Sequence, residues 1–133
     1  MKPHSFDLVD LRRRIDGGEL QIPDFRRDWV WSDEQIKSLV EGVVRGFPIN
    51  FIVLLECGAS TKFSCRPITG VTADAAPSYL VLDGQQRLTS LFGALQSSAS
   101  VTLPNGDKRV YYIDMHKAVD SIKNSANVED PCR

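Results

Sequence analysis

The sequence predicts an α+β domain, a small mixed sheet with flanking helices. Three observations predict it. Apolar residues recur at helical spacing in three stretches, near residues 8–15, 36–44 and 88–95. Short β-type runs lie between and after these stretches. The last two runs flank Asn105-Gly106, a hairpin signal foreign to a regular alternation of strands and crossover helices.

Composition sets the outer bounds. A chain of 133 residues, 42% hydrophobic and 25% charged, is one ordinary globular domain. Such a length buries enough apolar surface to fold without disulfides or metals. The net charge of -1 excludes an overall basic field, so any contact with DNA has to come from a local patch. The three cysteines, Cys57, Cys65 and Cys132, lack C-x-x-C spacing and fit neither a disulfide framework nor a zinc site. Reduced thiols in a cytosolic protein are the simpler reading. No apolar run reaches the length of a membrane span. Met1-Lys2-Pro3-His4 leads into polar sequence without a signal-peptide pattern, and a cytoplasmic location is the expectation.

The elements follow in order. Leu8, Leu11 and Ile15 share one face of a first helix that Ser5 is placed to cap and Gly17-Gly18 stops. Its Arg12-Arg13-Arg14 run reads as a solvated face with cations near the helix C-terminus, against a phosphate-contacting role. Glu19–Ile22 reads as a short strand ended by Pro23. Residues 23–31 are aperiodic and hold three aromatics beside Arg26 and Arg27. A core-lining loop that anchors Trp29 and Trp31 explains the aromatics better than it explains the arginines.

Ser32 and Gln35 form a capping box for the second helix. Ile36, Leu39, Val40, Val43 and Val44 make its core stripe, and Gly46 fits a left-handed position just past its end. Phe51–Leu55 is continuously apolar, which predicts a strand buried on both faces. Residues 57–78 read as a surface excursion. Tyr79–Leu82 is a short buried strand, followed by a helix through Leu88, Leu91, Phe92 and Leu95. Val101–Leu103 and Arg109–Ile113 form the hairpin. Residues 5–113 are expected to be the domain, and 114–133 a partial helix and fraying tail that begins a further C-terminal region.

The junction Asp83-Gly84-Gln85-Gln86-Arg87 is the most informative feature. A strand that runs into a helix amino terminus presents unpaired N–H groups and partial positive charge to anions such as phosphate. Gly84 permits a sharp turn and a close approach. Arg87 in the first turn fits a fork onto phosphate oxygens. Gln85 and Gln86 suit positioning a water or reading a base or ribose edge. Asp83 suits holding Mg²⁺ through water or activating that water. The plainer alternative is local: Asp83 caps the helix, Gln86 completes a capping box, and Arg87 is a surface residue.

These residues carry a resemblance. Asp83-Gly84-Gln85-Gln86-Arg87-Leu88-Thr89-Ser90-Leu91 resembles the D-G-Q-Q-R-L-T-T-L signature of the GmrSD N-terminal domain family, domain-of-unknown-function family 262. Ile22 to Trp31 resembles that family's I-P-x-F-Q-R-x-Y-V-W box, and Leu39 to Ile49 its helix and G-[YF]-P-I exit. The resemblance implies a ParB/sulfiredoxin-like fold. It also implies a domain that binds and hydrolyses a nucleoside triphosphate, ATP or GTP, with Mg²⁺, in a modification-dependent restriction or phage-defence protein. By the same resemblance Asp83, Gly84, Gln85, Gln86 and Arg87 are nucleotide-site residues, with Asp83, Gln86 and Arg87 the catalytic candidates and Asp83 the metal partner; Arg27 carries over from the first box, and Arg26 beside it is a further candidate for binding phosphate.

Two departures qualify what the resemblance implies. Arg26 stands where the family has glutamine. His4 and His116 are the only two histidines and form no H-N-H constellation, so a DNA-cutting module is not expected within this chain. The chain is then an excised piece, a stand-alone domain or a truncated remnant. The remainder of the site would come from a helical region beyond it or from a second subunit of a homo-oligomer. Two other functions compete with nucleotide hydrolysis. One is a DNA-binding module without catalysis, with Arg12, Arg13, Arg14, Arg26 and Arg27 as its patch. The other is an inactive truncated remnant that retains the fold.

Overall fold

The computed structural model describes residues 5–48, 50–58, 62–95 and 100–126. The elements run α1 (Leu8–Asp16), β1 (Leu20–Pro23), α2 (Asp33–Val44), β2 (Val53–Glu56), β3 (Cys65–Pro67), β4 (Tyr79–Asp83), α3 (Gln85–Ala94), β5 (Val101–Thr102), β6 (Lys108–Arg109) and α4 (Met115–Ala126). Four strands form a mixed sheet in the order β2-β4-β1-β3. The two central strands are parallel, with Leu20 opposite Tyr79 and Gln21 opposite Leu80. The two outer strands are antiparallel to their neighbours. β5 and β6 pair as a separate hairpin. Helices with a mixed sheet make the α+β class that the sequence predicts.

The core lies between the sheet, α1 and α3. Ile15, Leu20, Ile22, Ile68, Val81, Leu88 and Phe92 form one buried cluster. Leu88 and Phe92 are four residues apart on α3 and therefore face the sheet together. Full burial of a side chain of this size contributes about 1.5–3 kcal/mol.

Several local expectations hold. Ser32 accepts the Gln35 amide and Gln35 reaches back to the Ser32 amide, completing the capping box. Gly46 takes a positive φ of 75° just past α2. Of the α1 arginines Arg13 lies on a solvated face, while half-buried Arg12 donates to the Leu95 carbonyl at 3.2 Å and half-buried Arg14 lies over the Phe6 ring. Arg13 and Arg14 pair with Asp10 at 2.7 and 2.9 Å, Arg14 with Glu19 at 3.1 Å, and Arg12 with Asp16 at 3.7 Å. Cys57 and Cys65 are free thiols. Cys132 and His4 lie outside the described residues.

Other expectations are corrected. Asp7, not Ser5, caps α1, because its carboxylate stands next to the first turn and accepts the Asp10 amide at 2.7 Å. β1 is shifted by one residue and includes Pro23. β2 is an edge strand, half-buried: Ile52 and Leu54 pack on the core, while Phe51 is 89% exposed. The α2 stripe is core only at Ile36; its other members are partly or largely exposed. The 57–78 segment carries β3 and the buried Ile68, and Gln21 anchors it by donating to the Ala75 carbonyl at 2.7 Å. The hairpin strands are short, and residues 110–113 lie outside them. α4 continues through Asn124, Ser125 and Ala126, where fraying was expected; residues 127–133 lie outside the described set.

Candidate functional site

Strand polarity brings the first box and the Asp83 junction together. β1 and β4 are parallel neighbours, so the chain leaving Pro23 and the chain leaving Asp83 emerge at the same sheet edge. β2 is antiparallel, and its first residue, Val53, pairs with Asp83, so Phe51 and Ile52 enter at that edge as well. Ligands in sheets of this kind gather beyond the carboxyl ends of parallel strands.

Gly84 makes the junction sharp. Its φ of 87° is left-handed, and a Cβ there would stand 3.2 Å from Ile52 Cγ1 and 3.4 Å from Arg87 Nη2. Gly84 is itself the N-cap of α3, and no side chain caps the helix. The expected Asp83–Gln86 capping box is therefore absent. The left-handed turn separates Asp83 from the helix start, and Gln86 is engaged elsewhere.

Both glutamines are buried, at 4% exposure for Gln85 and 8% for Gln86. Gln85 Nε2 donates to the Arg27 carbonyl at 2.8 Å. Gln86 Nε2 donates to the Asp28 carbonyl at 2.8 Å, and its Oε1 accepts the Val30 amide at 2.9 Å. Trp29 Nε1 donates to Ser90 Oγ at 2.9 Å, fixing the indole against α3. The glutamines thus hold the backbone of the first box as a missing strand partner would. Their side chains have a packing role in the loop, beyond the water or base contacts that their place at a helix start suggests.

Arg66 grips the same loop from β3. Its guanidinium donates to the carbonyls of Pro23 at 3.3 Å, Arg26 at 2.8 Å and Arg27 at 3.3 Å, and pairs with Asp28 at 3.3 Å. Sequence reasoning missed this residue, which lies in a stretch without periodicity.

The charged groups remain at the rim. The Asp83 carboxylate is 65% exposed and stands 3.6 Å from Arg26 Nη2. Arg87 folds back over Gly84 and donates from Nη2 to the Phe51 carbonyl at 3.1 Å. Among the described residues, three buried side-chain polar atoms have no hydrogen-bond partner: Arg26 Nε, Arg87 Nε and Gln85 Oε1. All three belong to this neighbourhood. The Arg27 side chain is exposed, while its carbonyl is held by Gln85 and Arg66. The described residues contain no group of three or more His, Cys, Asp or Glu able to hold a metal ion. No helix among them is long and apolar enough to cross a membrane.

Fold and site together define a small α+β domain built around an arginine-flanked strand-to-helix junction. The chain belongs to the GmrSD restriction endonuclease N-terminal domain family, whose model matches residues 7–131. It is also 34% identical over 137 residues to an uncharacterised protein of Methanocaldococcus jannaschii. That alignment covers 96% of this chain but 23% of the relative, so the chain spans about a quarter of the relative's length. No solved structure matches.

Proposed function

We propose that the domain binds a nucleoside triphosphate, ATP or GTP, with Mg²⁺ at the amino end of α3 and hydrolyses it. In this reading, turnover regulates a DNA-cutting module in a modification-dependent restriction or phage-defence system. Membership in a family of restriction-endonuclease N-terminal domains supports that setting.

One observation carries the reading. Arg26 stands 3.6 Å from the exposed Asp83 carboxylate, and Arg87 lies three residues past Gly84, the N-cap of α3, where no side chain caps the helix. A helix amino terminus without a side-chain cap attracts anions, and phosphate oxygens would meet the first-turn amides of α3 beside two cationic side chains. Asp83 offers one carboxylate, which suits Mg²⁺, an ion that takes most of its ligands from phosphates and water.

The chain's own groups then divide the work. Arg26 and Arg87 neutralise charge on the transferring phosphoryl group, and Arg27 approaches it from the exposed side of the loop. Asp83 orients the metal or the attacking water. Water adds to the terminal phosphorus as the bond to the diphosphate breaks, releasing inorganic phosphate. Gln85 and Gln86 act indirectly, by fixing the loop that carries Arg26 and Arg27.

Phosphate release from ATP and GTP with Mg²⁺ tests the reading, using the wild type, Asp83→Asn and Arg87→Ala. The expectation is turnover in the wild type and a loss of about 100-fold or more in each variant. Unchanged release in both variants refutes the assignment.

A further inference from the structure

We infer that the groove between α2 and α4 is the contact face of a homodimer, covered by a second copy of this chain about a twofold axis. The groove measures about 280 Å³ and is lined by Val40 and Val44 of α2, Tyr112 and Ile113 of the segment after the hairpin, and Ala118 of α4. None of these residues belongs to the Asp83 junction, so the inference does not depend on the phosphate reading.

The sequence of α2 carries a stripe suited to burial, yet only Ile36 is buried. Val40 and Val44 lie four residues apart and face the groove together. The opposite wall is fixed in place. The Tyr111 hydroxyl donates to Asp33 Oδ1 on α2 at 2.8 Å, which ties Tyr112 and Ile113 to that helix.

Tyr112 decides the occupant. It lines the groove and is nevertheless 88% exposed. A small molecule in the groove would leave this ring in water. A twofold axis sets the protruding ring of each copy beside the groove of the other, since an isologous contact uses the same patch on both sides. Val44, Ile113, Met115 and Val119 are exposed as well. With Tyr112 they offer on the order of several hundred Å², the apolar centre of an interface of about 800 Å² per partner. Aromatic residues and methionine are the side chains that such centres favour.

Charge permits the self-contact. Lys37 pairs with Asp33 at 2.7 Å and Arg45 with Glu41 at 2.8 Å, so these rim cations are offset within each copy. Lys117 and Asp120 of α4 have no ion pair among the described residues, and their signs are opposite. Two α4 helices running antiparallel across the axis can offer each lysine the aspartate of the other copy. A rim of one sign would repel its own copy.

Sedimentation equilibrium of the chain across a concentration series tests the inference, on the wild type, Tyr112→Ala, Ile113→Glu and Val9→Glu. A reversible dimer is expected for the wild type. Tyr112→Ala removes the protruding ring and Ile113→Glu puts a charge in the groove; each should weaken association about tenfold or more. Both positions are exposed, so both variants should unfold thermally near the wild-type temperature. Val9→Glu replaces an exposed apolar side chain of α1, outside the groove, and should associate as the wild type does. The inference falls if the wild type is a monomer at every concentration, which leaves the groove to a different chain. It falls equally if Tyr112→Ala and Ile113→Glu associate as the wild type does, or if Val9→Glu weakens association as much as they do.

Discussion

Gln86 closes on Val30: its Oε1 accepts the Val30 amide at 2.9 Å, while its Nε2 donates to the Asp28 carbonyl at 2.8 Å. One amide therefore satisfies two backbone groups of a loop that has no strand partner there. Gln86→Ala leaves both unpaired, and a loss of about 2–4 kcal/mol is expected. Urea unfolding checks this through the midpoint at constant slope. A loss below about 0.5 kcal/mol would show that the loop is held elsewhere.

Gly84→Ala meets two obstacles, a φ of 87° and Ile52 Cγ1 at 3.2 Å from the new Cβ. A loss of about 1–3 kcal/mol is expected, because Ile52 packs on the core and has little room to yield. Thermal unfolding measures it. A variant as stable as the wild type would contradict the tight turn.

Arg66 ties three carbonyls of the first box with one planar group. Arg66→Lys keeps the charge but loses the fork. Amide exchange over residues 24–30 is expected to speed up about tenfold or more, while Ile68 and Val81 in the core keep their protection. Equal exchange in both regions would contradict a local role.

Asp33 anchors the segment after the hairpin to α2. Lys37 first, then the Tyr111 hydroxyl at 2.8 Å, hold its carboxyl below the ordinary value of 3.8. Folded Asp33 therefore binds its proton less readily than unfolded Asp33. Its contribution is complete above the unfolded value and lost as pH falls through the lower folded one. Tyr111 is shifted the other way, upward by burial first and by Asp33 second. Its contribution is present below the ordinary value of 10.0 and lost as pH rises through the folded value. Tyr111→Phe should move the Asp33 carboxyl resonance to titrate at higher pH. An unmoved titration would mean that the hydroxyl does not face this carboxylate.

Legibility in the sequence followed the range of the interactions. The α2 capping box, Gly46 and the β4–α3 junction are set by neighbours in the chain and were readable there. β3 was not: three residues ending in proline show no period, and the sheet selects them by pairing with β1. The tasks of Gln85 and Gln86 were hidden for the same reason, since their partners lie 56 to 58 residues away. The Asp83-x-x-Gln86 spacing suggested a local cap, yet a left-handed Gly84 removed it. The first box and the Asp83 junction were visible singly, but their meeting at one end of the sheet required the parallel pairing of β1 with β4.

The decisive measurement of the phosphate site is calorimetric titration with non-hydrolysable ATP and GTP analogues and Mg²⁺, on the wild type, Arg26→Ala and Arg87→Ala. Binding by the wild type is expected, with a weakening of about tenfold or more in each folded variant, the worth of one charge-assisted hydrogen bond. No binding by the wild type, or equal binding by all three, would contradict a phosphate site between Arg26 and Arg87.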